Sequence, residues 1–144
     1  MICIPQKIID GIIEQARNEL PNEACGLLAG EIIGNASNTL QTVSIKKQYP
    51  MENIDRSPEH FSFDPKEQFS VLREARVHGL RIVANYHSHP ASPARPSQED
   101  IRLAFDPNIF YLILSLQEED NPVLKAFSIR AGEVVEVEIQ SDKS

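Results

Sequence analysis

Two histidines two residues apart, His87 and His89, followed at once by Pro90, constrain this chain more than any other stretch. In an extended segment, residues i and i+2 project to one face. Leu80 to Tyr86, with Ile82 and Val83 at its centre, reads as a strand that delivers both histidines at its end. Pro90 stops that strand and redirects the backbone. Residues 91–96, with Pro93 and Pro96, form a stiff loop, and Ser97-Gln98-Glu99-Asp100 follows. Two imidazoles and one carboxylate are the ligand set of an open catalytic zinc site. A lone histidine would be read as solvated. The pair, with a carboxylate eleven residues after the second member, favours a metal.

Ser97 and Asp100 also have a plainer reading. Ser-x-x-Asp ahead of Ile101, Leu103 and Ala104 is a helix-capping pattern with a carboxylate in the first turn. Both roles are compatible for Ser97, and a first-turn carboxylate is kept ionised by the helix dipole. Glu99 is the alternative ligand. It points about 100° away around the helix, so only one of the two carboxylates faces the histidines. Ile101 and Ala104 do not decide between them.

The remaining elements follow in order. Residues 2–4 read as a short strand, and Pro5 opens a helix. Ile8, Ile9, Ile12, Ile13, Ala16 and Leu20 give that helix an apolar face before Pro21 ends it. Cys25 to Ile33 is a buried strand, Gly34 to Asn38 a turn, and Thr39 to Lys46 the return strand of a hairpin. Tyr49 to Glu59 reads as a loop and His60 to Phe63 as a short alternating strand. Asp64-Pro65-Lys66-Glu67 starts a helix with a stripe of Phe69, Leu72, Ala75 and Val77, closed by Gly79. Ile109 to Leu116 is an apolar strand, and Val123–Arg130 with Glu133–Ile139 forms a second hairpin around Ala131-Gly132. The sum, βαβββαβαβββ, predicts an α/β fold with a mixed sheet flanked by helices. One domain over residues 1–139 and a loose tail at 140–144 are expected.

Composition narrows the partners. A net charge of −7 disfavours binding along phosphate backbones, so no nucleic-acid partner is expected. No apolar run approaches the ~20 residues of a membrane span, and no signal-like leader is evident, so the cytoplasm is the expected location. Cys3 and Cys25 are far apart in sequence and are expected as reduced thiols, with Cys25 as core filling.

Glu23, just before the Cys25 strand, is a candidate general base, although a lone Glu at a strand entrance is usually a surface residue. The larger pattern raises it. His87-Ser88-His89-Pro90, seven residues to Ser97 and two more to Asp100 reproduce the His-x-His-x7-Ser-x2-Asp motif. The chain thereby resembles the JAMM (MPN+) zinc metalloprotease family. Pro-x-Glu-Ala-Cys-Gly-Leu-Leu-x-Gly around Glu23 is similar to that family's catalytic glutamate segment. The resemblance implies a fold related to cytidine deaminases. It implies that His87, His89 and Asp100 hold Zn2+, that Glu23 activates the water and that Ser97 helps stabilise the oxyanion. A deaminase proper is disfavoured because the chain has no CxxC, and no His-Glu-x-x-His segment is present.

Only Asp106-Pro107-Asn108 separates the Asp100 helix from the next strand, and the 47–58 loop is short. That resembles the compact prokaryotic members. The resemblance implies hydrolysis of an amide following the C-terminal Gly-Gly of a ubiquitin-like or sulfur-carrier protein, in a pathway with an adenylating enzyme. The Glu52–Phe63 region is the expected edge for an added substrate strand. A non-catalytic MPN-type scaffold, a metal hydrolase of a small peptide or amino-acid adduct, and a homodimer are left open.

Overall fold

Helix α1 (Gln6–Glu19) is the element around which the sheet is wrapped. Ile8, Ile12 and Ala16, spaced by four, form one buried face, with Ile9 and Ile13 packed partly against the same cluster. Burying an isoleucine contributes roughly 1.5–3 kcal/mol, so this face binds the helix firmly to the sheet. The computed structural model describes residues 1–33 and 41–142, so the expected Gly34–Asn38 turn lies outside the described residues.

The other elements are β1 (Ile2–Pro5), β2 (Cys25–Ile32), β3 (Val43–Met51), α2 (Pro65–Val77), β4 (Arg81–His89), α3 (Gln98–Arg102), β5 (Phe110–Ser115), β6 (Val123–Arg130), β7 (Glu133–Val137) and β8 (Ile139–Asp142). The sheet order is β7-β6-β5-β4-β2-β3-β1-β8. It is mixed: β4 runs parallel to β5, and β1 parallel to both β3 and β8, while the other pairs are antiparallel. The fold is therefore α/β with a mixed sheet, as the pattern predicts.

Its two outermost strands, β7 and β8, are separated in the chain by Glu138 alone, whose carbonyl accepts a hydrogen bond from the Ile2 amide at 2.8 Å. The sheet thus comes round on itself. Every strand sends residues to the α1 cluster, among them Ile4, Leu28, Ile45, Tyr86, Leu112, Ala126 and Val137, with Ile139 of β8 packed partly against it. The opposite face carries α2 over Leu27, Ala29, Tyr49 and Met51, and the α3 segment over Tyr111, Ile113, Phe127 and Ile129.

Several expectations are corrected. His60–Phe63 is extended loop and pairs with no strand, because Asn53 holds it locally: Nδ2 donates to the His60 carbonyl and Oδ1 accepts from the Ser62 amide. The β3 strand continues to Met51, so Tyr49 and Pro50 belong to the ladder. Pro50 is tolerated there because β1 runs beside β3 only at Val43 and Ser44. Residues 140–142 are not loose: they continue β8, in register with Cys3, Ile4 and Pro5. On α2 the buried side chains are Val71 and Ala75, while Phe69, Leu72 and Val77 are exposed. The helix boundary itself is as read, with Asp64 accepting from the Lys66 amide, Pro65 in the first turn and Gly79 at φ 73°.

Candidate metal centre

The site begins with strand register. Cys25 of β2 pairs with His87 of β4, and the Ser88 amide donates to the Ala24 carbonyl at 2.9 Å. Two steps further along the same antiparallel pairing, Glu23 comes opposite His89. Residues opposite one another, and residues two apart, share a sheet face, so Glu23, His87 and His89 project together. Ser88 points the other way, and its hydroxyl accepts from the Ala24 amide at 2.8 Å, tying the entrance of β2 to the end of β4.

The third arm comes from α3. Its N-terminus is a reciprocal cap: Ser97 Oγ accepts from the Asp100 amide at 3.0 Å, and Asp100 Oδ2 accepts from the Ser97 amide at 2.9 Å. The same Oδ2 lies 3.2 Å from His87 Nε2 and 3.0 Å from His89 Nε2, and the two Nε2 atoms are 3.1 Å apart. Helix geometry alone left Glu99 and Asp100 as alternatives, and the resemblance favoured Asp100; the structure turns Asp100 to the histidines. Glu99 points away, pairing with His60 through Oε1 and with Arg102 through Oε2.

This triangle fits a metal ion. A tetrahedral zinc with ligands at 2.0–2.1 Å requires ligand atoms about 3.3 Å apart, close to the three separations found. The tautomers agree as well. The Pro93 carbonyl lies 2.9 Å from His89 Nδ1, so Nδ1 carries the hydrogen and Nε2 keeps its lone pair. Burial lowers the pKa of His87, which leaves it neutral and able to donate a lone pair. For Asp100, burial opposes ionisation, but the two imidazoles against its Oδ2 and the Ser97 amide outweigh it and hold the carboxyl well below the usual range. Among the described residues, these three form the one cluster of candidate metal ligands.

Glu23 is buried at 4% exposure, not on the surface. The loop after β3 clamps its backbone: the Glu23 amide donates to the Ser57 carbonyl at 2.9 Å, and its carbonyl accepts from Asn53 Nδ2 at 3.0 Å. Its Oε1 is buried with no hydrogen-bond partner among the described residues. Burial pushes the carboxyl up to about 8, against the lowering influence of His89 and with a further raise from Asp100. It is thus a proton-holding carboxyl in the electrostatic field of the triangle. Cys25, by contrast, is pushed up to about 12 by burial and is no nucleophile at neutral pH.

Two neighbours escaped the sequence reading. The Phe61 ring stacks on His87, with centroids 4.6 Å apart, and His60 bonds Glu99 across to α3. The pair therefore straps the 53–63 loop over the site. No spacing rule marks them, because both lie in irregular backbone. A cavity of about 680 Å³ opens from His87 and Asp100 and runs back along β4 past Asn85 to Ile82. Phe61, Phe63 and Leu72 wall one side, and Leu103 and Phe105 the other.

Residues 5–130 match the prokaryotic homologs of the JAB domain (Prok-JAB), and the chain belongs to that family. It is 31% identical over 136 residues to the CysO-cysteine peptidase of Mycobacterium tuberculosis, covering 94% of this chain and 88% of the relative. It is 34% identical over 111 residues to a desampylase of Haloferax volcanii, covering 74% of each chain. A probable TtuB-protein conjugate cleaving protease of Thermus thermophilus is 32% identical over 99 residues, covering 65% of this chain and 60% of the relative. The solution structure of protein DSY2949 from Desulfitobacterium hafniense superposes with a TM-score of 0.89 at 46% identity, covering 100% of this chain and 94% of that one. The crystal structure of AF2198, a JAB1/MPN domain protein from Archaeoglobus fulgidus, shares the fold with a TM-score of 0.57 at 22% identity, covering 96% of this chain and 98% of that one. No helix among the described residues is long and apolar enough to cross a membrane.

Proposed function

We propose that this chain is a zinc-dependent peptidase that hydrolyses the amide bond after the C-terminal Gly-Gly of a small ubiquitin-like or sulfur-carrier protein. The observation that carries this reading is the His87–His89–Asp100 triangle with the buried Glu23 carboxyl beside it. The names of the mycobacterial and Thermus relatives support the substrate class, since both describe cleavage of an adduct on a carrier. An adenylating enzyme that activates the carrier belongs to the same reading.

His87 and His89 through Nε2 and Asp100 through Oδ2 would hold the zinc. When bound, it would supply Lewis-acid polarisation of the scissile carbonyl and lower the pKa of its water to about 7. The charge of a bound zinc would favour the ionised form of Glu23, which takes the proton of the attacking water and passes it to the leaving amine; its buried Oε1, without a hydrogen-bond partner among the described residues, is the atom available for that exchange. Ser97 Oγ already accepts from the Asp100 amide, so its own hydrogen is available to the developing oxyanion. The Asp100 cap and the Pro93 carbonyl hold two of the three ligands in orientation before any substrate arrives.

The test is cleavage by the zinc-loaded protein of a carrier joined through its Gly-Gly terminus either to an amino acid or to a lysine side chain. Release of intact carrier from one or both is expected, with no cleavage when the terminal glycines are replaced by alanines. Absence of cleavage on every conjugate, with zinc bound at one equivalent, would overturn the proposal.

A further inference from the structure

Asn85 is a polar side chain on an apolar floor. It stands two residues before His87 on β4, on the same face, between Leu27 of β2 and Tyr111 of β5. It lines the cavity that leads away from the metal centre. Its Oδ1 is buried, and among the described residues no group donates to it. The neighbouring Tyr111 hydroxyl, by comparison, is fully engaged, donating to the Asp106 carbonyl and accepting from its amide. A buried amide oxygen without a donor is costly and calls for an explanation.

The mechanism above gives Asn85 no task, yet its position suits one. An extended chain rises about 3.3 Å per residue, so an unfolded tail lying along β4 matches the strand residue for residue. With its scissile carbonyl at the triangle, such a tail brings its peptide group two residues upstream over Asn85. That group is the amide joining the penultimate glycine to the residue before it. Its N–H is the donor that Asn85 lacks. The amide torsion of asparagine is soft, so Oδ1 can turn towards the cavity.

We propose that Asn85 binds this backbone N–H of the carrier tail and so sets the register in which the tail meets the metal centre. The assignment rests on the peptidase reading above. It makes Asn85 a substrate-binding residue that recognises backbone and does not select a side chain.

The experiment pairs two enzymes with two substrates. Wild type and Asn85→Ala are assayed on a synthetic carrier tail with the native amide before the penultimate glycine, and on the same tail with that amide replaced by an ester, which has no N–H. On the amide tail, Asn85→Ala is expected to lower kcat/KM about tenfold, the scale of one neutral hydrogen bond. The ester is expected to cost wild type a similar factor and the variant almost nothing further. Asn85→Asp, which keeps an acceptor, should restore most of the loss, with zinc content unchanged. Equal penalties for the ester in both enzymes, or no effect of Asn85→Ala on the amide tail, would overturn the assignment while leaving the peptidase reading intact. A wild type inactive on the amide tail would overturn both.

Discussion

Cys25 and His87 are direct partners across the β2–β4 ladder, and their pairing carries Glu23 to His89. Residues more than sixty positions apart in the chain thus meet through strand register alone. A one-residue slip would turn Glu23 to the opposite face. The Ser88–Ala24 bonds, one from each backbone amide, resist that slip.

Glu23→Gln keeps the shape of the side chain and removes the proton acceptor. Turnover of a Gly-Gly conjugate should fall at least ~100-fold, the lower bound for a positioned general base. His87, His89 and Asp100 are untouched, so zinc measured by elemental analysis should stay near one equivalent. Wild-type turnover in this variant would remove Glu23 from the mechanism.

The same residue gives a pH signature to the metal-free protein. Its folded pKa of about 8 lies above the reference value of 4.5, so between those values the folded state holds a proton that the unfolded chain has released. Stability from this group therefore falls as pH rises through that window, opposite to the usual behaviour of a carboxylate. In chelator, wild type should lose roughly 5 °C or more of Tm relative to Glu23→Gln between pH 5 and 8. Parallel melting curves would contradict the burial of an ionisable group here.

Zinc should stabilise the wild type by mass action, by about 4 kcal/mol when free metal is a thousandfold above Kd. His89→Ala should lose that zinc-dependent rise in Tm. Asp100→Ala should lose it too, and should also start from a lower metal-free Tm, because the carboxylate caps α3 through the Ser97 amide. Thermal melts with and without added zinc distinguish the two.

Ser97 carries two tasks that substitutions can separate. Ser97→Ala removes both the cap and the hydroxyl, so a loss of about 1 kcal/mol in stability should accompany slower turnover. Ser97→Asp retains a good cap but has no hydrogen to donate. It should melt near wild type and still turn over slowly. Full activity in the aspartate variant would confine Ser97 to capping.

Gly30 lies at the β2 bulge, where an added Cβ would run into the Ser44 backbone carbonyl of β3. Backbone cannot give way as a flexible side chain can. Gly30→Ala should lower Tm by well over 5 °C, read by thermal unfolding, since it opens a central ladder. Gly79→Ala should be milder: its φ of 73° makes it a strained site, but nothing stands in the space a Cβ would take.

The elements that the sequence made legible are those whose signals are local. The Asp64 cap, Pro65 and Gly79 bound α2, and the repeated isoleucines of α1 show its buried face. The histidine pair marked the candidate site for the same reason, since strand alternation alone puts His87 and His89 on one face. What stayed hidden depends on long-range contacts. Helical spacing favoured Phe69, Leu72, Ala75 and Val77 as the α2 stripe, yet of these only Ala75 is buried, and the sheet takes up Val71 beside it. Glu99 and Asp100 were equivalent until the fold set the roll of α3, with His60 drawing Glu99 away. His60–Phe63 alternates like a strand but finds no partner, because Asn53 takes up its backbone first.

The pairing of β8 with β1 has a consequence for how the molecule is made. Ile2 lines up with Ile139, so β1 must wait until residue 139 has been made before its ladder with β8 can form. Closing so long a loop carries the largest entropy cost of any step in assembly, which makes it a natural candidate for the last one. Until then, the apolar surface around α1 is open along one seam. A chain stalled on the ribosome short of Ile139 would present that seam to chaperones, with the two histidines already synthesised.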